Sequence, residues 1–228
     1  AMLEVRDLEV YYGVIQALKE LFDVNQGEIV ALIGANVPED DNTAHRDGSL
    51  SAVPDISCTK EPNHKIPGYK LVSMGIAHVR RDAASSPPHR SQNLKLGAYT
   101  RKDKAEMDAT LNMIYQRFPR LKERVNQPAG YLSGGEQQML ARVRALMSHP
   151  KLIVLDRAVH GSVPIYVNEV FDIIQSINRD GVTVLVESER EKALSIAIRQ
   201  YVLETGNDRF EAATRSMLMN DDKVKRLI

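Results

Sequence analysis

The chain has 228 residues, with 30 Lys and Arg against 30 Asp and Glu, six His, one Cys and no Trp. Hydrophobic residues make up 43% and charged residues 26%, which is typical of one ordinary globular domain with or without a small subdomain. The zero net charge argues against a nucleic-acid binder that relies on bulk basicity. The lone Cys58 excludes an internal disulfide and a cysteine-cluster metal site. No apolar run approaches the roughly 20 residues of a membrane span.

Strand patterns occupy the N-terminal region. Apolar residues alternate with charged ones over residues 3–10, which predicts a strand with one buried face. The apolar residues of segment 21–24 lead into a polar turn at residues 25–27. The run that follows, residues 29–33, is apolar at every position and ends at Gly34, which indicates a parallel strand buried on both faces.

Two segments of the chain lack a regular pattern. Residues 35–70 contain four prolines and three consecutive acids, and they show neither the period of a strand nor that of a helix. We therefore expect loop or weakly ordered chain there, and again over residues 80–88. Between the two segments, residues 75–79 predict a short strand.

Helices and strands alternate after residue 94. Apolar residues recur at helical spacing in three segments that end at Pro119, Pro150 and Asp180: residues 107–118, 134–148 and 166–177. Two further buried strands and a C-terminal helix are predicted at residues 151–156, 182–186 and 212–219. Alternation of buried strands with amphipathic helices predicts an α/β fold with a parallel sheet.

The segment with the most chemical information runs from residue 132 to residue 140 and reads LSGGEQQML. Ser133 stands at a predicted helix start with Glu136 three residues later, the spacing of a capping box. Gly134 and Gly135 leave the backbone N–H groups of the first turn accessible, and a bare helix N-terminus binds anions. Ser-x-x-Glu alone indicates an ordinary capped helix, whereas the added Gly-Gly and Gln-Gln make a phosphate receptor a much more specific prediction.

The string LSGGEQQML resembles the signature motif of the ATP-binding cassette (ABC) ATPases. Further segments agree with that family over most of the chain from residue 3 to about residue 206: residues 3–12, 27–36, 144–147, 150–156 and 201–206. Four shorter stretches are similar to the ATP-binding subunits of bacterial branched-chain amino acid importers: residues 11–13, 96–99, 118–124 and 137–140. The likeness is poor at residues 37–70 and 80–93.

The resemblance implies a fold and a role. It implies one ABC ATPase-like domain over residues 1–228, a P-loop NTPase-like parallel sheet core with an N-terminal antiparallel β subdomain and a helical subdomain. Residues 1–79 and 150–228 would form the core, and residues 80–149 the helical subdomain with its signature helix. The role implied is the ATP-binding subunit of an importer, which couples ATP binding and hydrolysis to transport.

The resemblance also implies partners and a location. The partners would be a second ATPase subunit, identical or homologous, and membrane-embedded permease subunits, with no nucleic acid involved. Because no signal peptide precedes Leu3, we expect the reducing cytoplasm. The family resemblance places the protein there as a peripheral protein on the inner face of the cell membrane.

The cofactors implied are ATP and Mg²⁺, and five residues match the family's positions for holding them in one subunit. Tyr12 matches the aromatic residue that stacks on adenine, although without the family it would as readily be a tyrosine at a strand edge. Gly34, Ala35 and Asn36 match the opening of the phosphate-binding loop. Asp156 matches the acid that holds Mg²⁺ through water, and its spacing after the signature favours this role over that of a helix N-cap.

Four signature residues are assigned to a second ATP. In the family, the positions that match Ser133, Gly134, Gly135 and Gln137 contact the γ-phosphate of the ATP held by the opposite subunit. Two subunits would then sandwich two ATP molecules, each between one phosphate-binding loop and the facing signature.

The chain departs from the family at the phosphate-binding loop. A P-loop requires G-x-x-x-x-G-K-[ST], and counting from Gly34 places Glu39, Asp40 and Asp41 at the last three positions. One carboxylate about 4 Å from a phosphate charge costs about 4 kcal/mol at an effective dielectric near 20. No Gly-Lys-Ser or Gly-Lys-Thr occurs anywhere in the chain, so a shift of register does not restore the loop.

The catalytic positions depart as well, so the catalytic residues stay unassigned. The family's glutamate that polarises the attacking water is replaced by Arg157, a cation that cannot act as a base at pH 7. The family's switch residue falls at Ser188, and the preceding Glu187 is a weak candidate for the base. Three explanations are open: a degenerate cassette that assembles with a partner without hydrolysing ATP, an altered or engineered version of an active subunit, or an error in the loop sequences.

Overall fold

The computed structural model describes residues 1–12, 15–34, 56–58, 68–79, 90–123, 125–156, 164–187, 191–203 and 209–212. The strands within these ranges are β1 (Leu3–Tyr12), β2 (Ile15–Val24), β3 (Ile29–Gly34), β4 (Ile56–Cys58), β5 (Ile76–Val79), β6 (Leu152–Leu155), β7 (Thr183–Glu187), β8 (Arg199–Leu203) and β9 (Arg209–Ala212). The helices are α1 (Gly68–Ser73), α2 (Arg90–Gly97), α3 (Lys104–Arg117), α4 (Pro119–Glu123), α5 (Gly134–Leu146), α6 (Pro164–Arg179) and α7 (Glu191–Ile196), with a 3-10 turn at Ala129–Tyr131.

The larger sheet has the strand order β5-β6-β7-β3-β8-β9. The first five of these strands are parallel to one another, and β9 pairs antiparallel with β8 at the edge. The predicted parallel sheet is therefore confirmed, and its carboxyl ends lie along one edge.

Both faces of this sheet are covered, as the continuous apolar strand pattern predicts. Ile29 and Ala31 of β3 pack into a cluster with residues of α6 such as Phe171 and Ile174. Val30 packs on the opposite face. Burying each of the Val, Ile and Phe side chains among them stabilises the fold by about 1.5–3 kcal/mol.

A second, antiparallel sheet of order β2-β1-β4 covers the opposite face. It contributes Leu3, Phe22 and Val24 to the cluster that contains Val30. The ring of Phe22 lies tilted against that of Tyr201 on β8, with centroids 5.7 Å apart. The predicted N-terminal antiparallel β subdomain is thus confirmed.

The helices α2 to α5 and the 3-10 turn, which we call the helical unit, have a hydrophobic cluster of their own. Its buried members come from all five elements or their ends: Leu94, Ala98, Ile114, Leu121, Ala129, Leu132, Leu140, Val143 and Met147. Helix α5 also packs on the sheet, because Ala141 belongs to the cluster around β3. A helical subdomain is therefore present, while its sequence-derived limits of residues 80 and 149 stay predictions.

Several elements were not predicted from the sequence. Strand β4 and helix α1 lie within or across the segment expected to be irregular, and α2, α7 and β9 had no prediction. These elements have three to eight residues, too few for a periodic pattern, and tertiary pairing stabilises them. The helix expected at residues 212–219 is wrong at its start, because Ala212 pairs with Gln200 in the sheet, and residues 213–219 lie outside the described ranges.

Gly97 allows α2 to approach α5 closely. A Cβ atom at this position would lie 2.0 Å from the carbonyl oxygen of Arg144, a backbone atom that cannot move aside. We expect Gly97→Ala to lower the free energy of unfolding by about 3 kcal/mol, the upper range for overpacking. Urea denaturation measures this change.

The matched control for that change is Gly130→Ala. A Cβ atom at Gly130 meets nothing within 4 Å, so this variant should keep the stability of the natural chain or gain slightly from reduced unfolded-state entropy. Equal stabilities of the two variants would contradict the close approach of α2 and α5.

Arg199 on β8 ties the end of β2 to the start of β3. Its Nη2 atom donates to Oδ2 of Asp23 and to Oε2 of Glu28, both at 2.9 Å, and also to the backbone oxygen of Asp23. The hydrogen bond from Arg199 holds the pKa of Asp23 below its ordinary value of 3.8. Burial alone would raise the pKa of Glu28, but hydrogen bonds from Asn25 and Arg199 outweigh it and hold this pKa below 4.5.

These lowered pKa values predict how stability depends on pH. As pH falls, the unfolded chain takes up protons before the folded chain does. The stabilisation is therefore present well above pH 4.5, begins to be lost as pH falls through the unfolded-state values of 4.5 and 3.8, and is gone only below the lower pKa values of the folded state. We expect Arg199→Met to cost about 2 kcal/mol at pH 7, because it leaves two partly buried carboxylates without their cation. Urea denaturation from pH 7 to pH 3 should show a shallower loss of stability in this variant; an unchanged acid slope would contradict the role of Arg199.

Candidate functional site

Three residues predicted to matter for chemistry lie at the carboxyl edge of the larger sheet. Gly34 is the last residue of β3, Glu187 is the last of β7, and Asp156 directly follows β6. The backbone N–H of Asp156 donates to the carbonyl of Val79, which holds this residue against the end of β5 at 3.1 Å. Ligands of open parallel α/β sheets bind at this edge, so the structure brings these residues to the expected place.

Glu187 lies between the other two. The strand order β6-β7-β3 places the end of β7 next to Asp156 on one side and next to β3 on the other, where Glu187 is opposite Leu32. Its side chain is exposed, and that of Asp156 is half-buried. Two carboxylate residues, Asp156 and Glu187, are therefore neighbours at the carboxyl ends of β6 and β7.

The donor set at this edge suits a weakly held hard cation. Within the described part of the chain, no group of three or more His, Cys, Asp or Glu side chains is arranged to hold a metal ion. Mg²⁺ commonly binds through one or two carboxylates and keeps its remaining ligands as waters and phosphate oxygens. The accessible carboxylate of Asp156 fits such an ion.

The helix start predicted from the string LSGGEQQML is present. Helix α5 begins at Gly134, with Ser133 as an extended N-cap residue. Ser133 Oγ accepts from the backbone N–H of Glu136 at 3.4 Å, and Glu136 Oε2 accepts from the backbone N–H of Ser133 at 3.0 Å. The predicted capping box is thus confirmed in both directions.

This helix start is open to solvent. Ser133 and Gly134 are exposed, Gly135 is half-buried, and a Cβ atom at Gly134 would meet nothing within 4 Å. Helix α5 has 13 residues, long enough for its dipole to give a partial positive charge at this end. An anion receptor must be accessible to its ligand. The described residues leave the start of α5 uncovered, so this position meets that condition.

Two glutamines of the first turns are oriented inward. Nε2 of Gln137 donates to the carbonyl of Leu132 at 3.1 Å, so its amide is turned back onto the chain that precedes the helix. Oε1 of Gln138 accepts from Nη2 of Arg142 at 3.2 Å. Arg142 is almost fully buried, which lowers its pKa to about 10, and nothing in the sequence pattern indicated that this arginine lies inside.

The signature and the carboxyl edge are separate parts of one chain. Among the described residues, no hydrogen bond or ion pair joins Ser133 to Asp156. Ser133 belongs to the helical unit, whereas Asp156 belongs to the sheet.

Several predicted site residues lie outside what the structure describes. Ala35, Asn36, Asp40, Arg157 and Ser188 are outside the described ranges. For Tyr12 the structure describes the backbone, as the last residue of β1.

A groove that the sequence did not indicate lies between the helical unit and the sheet. It opens on a cavity of about 280 Å³ among α1, β5, α2 and α5. Leu96 and Tyr99, which line the cavity, are 54% and 59% exposed. Tyr69, which is 66% exposed, lies beside it, because the Tyr99 hydroxyl donates to the carbonyl of Tyr69 at 3.1 Å. Arg144 also lines the cavity, and burial lowers its pKa. We call these four residues the tyrosine groove.

The tyrosine groove could not be read from the sequence because the elements that carry Tyr69 and Leu96 were not predicted. Tyr69 lies on α1 and Leu96 on α2, two helices that are too short for a periodic signal.

No helix within the described ranges has the length and apolar character needed to cross a bilayer.

Comparison with known proteins agrees with these features. The family model described as ABC transporter matches residues 54–160. The chain is 38% identical over 216 residues to the high-affinity branched-chain amino acid transport ATP-binding protein BraG of Pseudomonas aeruginosa, a match that covers 90% of each chain. It is 32% identical over 165 residues to the probable branched-chain amino acid transport ATP-binding protein LivF of Archaeoglobus fulgidus, covering 71% of this chain and 69% of the relative.

A solved structure confirms the fold. An ATP-binding cassette of an ABC transporter superposes with a TM-score of 0.81 and 19% sequence identity, covering 99% of this chain and 98% of the other. The predicted fold class, a sheet core with antiparallel and helical subdomains, is therefore confirmed.

Proposed function

The chain belongs to the ABC transporter family, and we propose that it is the ATP-binding subunit of an importer for branched-chain amino acids. The observation that carries this proposal is the open, glycine-flanked and serine-capped start of α5. The likeness to BraG over 90% of both chains supports the class of transported solute.

The phosphate site that we propose uses two copies of the fold. Gly134 and Gly135 of one copy offer first-turn N–H groups at the positive end of α5 to the γ-phosphate of an ATP held by the other copy. The Ser133 hydroxyl, which donates to Oε2 of Glu136 at 2.9 Å, would join them once it releases that carboxylate. Gln137 would join them once its amide releases the carbonyl of Leu132, so we expect its hydrogen bond to change when nucleotide binds.

The other half of the site lies at the carboxyl edge of the sheet. We infer that Gly34, Ala35 and Asn36 surround the phosphates and that Tyr12 stacks on the adenine, an interaction worth about 1–3 kcal/mol for a base on an aromatic ring. Asp156 would hold Mg²⁺ through water. When bound, this ion neutralises negative charge on the phosphates.

Turnover by this chain should be slow. Glu187, exposed at the end of β7 and next to the position of Asp156, is the carboxylate that this edge offers as a base. Arg157 replaces the base of the family, and Asp40 replaces the lysine that neutralises the phosphates. We therefore expect weak ATP binding and slow hydrolysis rather than their complete absence.

We further propose that the tyrosine groove receives an apolar segment of a membrane-embedded permease subunit. Two large exposed side chains, Leu96 and Tyr99, line the cavity there, and the exposed Tyr69 lies beside Tyr99. Clustered exposed apolar residues are typical of interaction sites. Such a partner would hold the protein at the inner face of the cell membrane.

Titration calorimetry with Mg-ATP, combined with a phosphate-release assay, tests the proposed function. Binding with measurable turnover is the expected result. Binding without turnover would instead support the alternative, a cassette that assembles with a partner without hydrolysis, which the named relatives do not favour. The absence of both ATP binding and ATP turnover would overturn the proposal for this chain.

A further inference from the structure

The helical unit and the sheet are two bodies that share one helix. The buried cluster of the helical unit has no member in common with the two clusters of the sheet among the described residues. Helix α5 contacts both, with Ala141 on the sheet side and Leu140 and Val143 on the other. A hydrogen bond from Tyr99 to Tyr69 joins the bodies at the tyrosine groove.

An ion pair joins the same two bodies at a different place. Arg117 is the last residue of α3, and Asp180 follows α6 directly before the turn into β7. Nη1 of Arg117 donates to Oδ2 of Asp180 at 2.6 Å, and Nη2 donates to Oδ1 at 3.1 Å. This paired geometry fixes direction as well as distance, which a single contact does not do.

We propose that the Arg117–Asp180 pair is a positioning clamp, which sets the orientation of the helical unit on the sheet and thereby the direction in which Ser133 faces a second copy. This inference rests on the proposed function of Ser133. Neither residue touches nucleotide in the proposed site, so both act through α5.

The length of α5 explains why orientation matters. Asp180 lies near the amino end of β7, at the amino edge of the sheet. The C-terminus of α5 lies at the same edge, because the chain enters β6 from it. The start of α5 is about 20 Å from that C-terminus. A rotation of about 5° about that edge therefore moves the start of α5 by roughly 2 Å. A displacement of about 1 Å of a binding group can reduce the rate of a reaction by about 100-fold.

The test measures orientation without nucleotide first. Cys58→Ser removes the single natural thiol, and Asn112→Cys on α3 with Asp172→Cys on α6 provides two exposed positions for nitroxide labels. Pulsed electron spin resonance then reports the distance between the two bodies. We expect Arg117→Met to widen this distance distribution by several ångströms, and the exchanged pair Arg117→Asp with Asp180→Arg to restore it.

A matched control is Lys122→Met, which removes another exposed cation of the helical unit on α4. It should leave the distance distribution unchanged. A distribution that is as narrow in Arg117→Met as in the natural sequence would overturn the clamp, whatever the chain does with nucleotide.

A second readout links the clamp to the signature. Sedimentation with Mg-ATP should show association weakened about 10-fold in Arg117→Met and regained in the exchanged pair, while the melting temperature changes little because exposed ion pairs contribute little stability. A widened distribution with unchanged association would overturn the link to Ser133. If the natural chain shows no association with Mg-ATP, the proposed function fails, and the label distances still decide whether the pair sets the orientation.

Discussion

Restoring the family's residues at four positions is expected to raise the affinity for ATP and the rate of its hydrolysis by at least about 100-fold each. The changes are Glu39→Gly, Asp40→Lys and Asp41→Ser in the phosphate-binding loop, with Arg157→Glu after the predicted metal-binding residue. An acid exchanged for lysine about 4 Å from phosphate changes the interaction by several kcal/mol at an effective dielectric near 20, and about 3 kcal/mol is enough for 100-fold.

The control for this restored variant must match its change in net charge. The four changes raise the net charge by two, as does the single change Asp108→Lys on the exposed side of α3. Calorimetry with Mg-ATP and phosphate release should show the gain in the restored variant and none in Asp108→Lys. A natural chain that already hydrolyses ATP as fast as the restored variant would contradict the importance given to Asp40 and Arg157.

The elements predicted from the sequence are those whose signals are local. Strand β3 is apolar at each position before Gly34, and α5 begins with a capping box that sets its first residue. Such signals depend on neighbours within about four residues, so they survive without knowledge of the fold. Strand β9 depends instead on pairing with β8, and helix α2 on the close approach of Gly97 to α5.

The candidate site divides in the same way. The sequence identifies Ser133 and Asp156 through motif and spacing, but not that the first is exposed or that the second lies beside Glu187. The pair Arg117–Asp180 joins residues 63 positions apart, and no local pattern indicates it. Contacts between separate parts of the chain are therefore the information that the structure adds.

Gly134→Asp is expected to lower the turnover of the restored variant about 1000-fold without unfolding it. A Cβ atom at Gly134 meets nothing in the chain, and a carboxylate in the first turn of α5 interacts favourably with the helix dipole by about 0.3–1 kcal/mol. The same carboxylate about 4 Å from a γ-phosphate costs about 4 kcal/mol at an effective dielectric near 20. Thermal unfolding and phosphate release together measure the two opposite effects.

Gly130→Asp is the matched control, because it adds the same charge four residues earlier at a position that is equally open. Its turnover should stay within a few-fold of that of the restored variant. A loss as large as that of Gly134→Asp would assign the effect to general charge and not to the helix start.

A mixing experiment decides which copy the signature serves. The restored variant with Gly134→Asp has a functional phosphate-binding loop and a blocked signature. The natural chain has a defective phosphate-binding loop and an open signature. If α5 binds the ATP of the other copy, mixed dimers contain one complete site, and an equal mixture should regain about a quarter of the restored turnover for random pairing in a two-fold dimer. If α5 binds the ATP of its own chain, no dimer contains a complete site, and mixing two poorly active proteins restores nothing. The two-copy arrangement thus predicts a gain of activity on mixing, a result that damage to the fold could not produce.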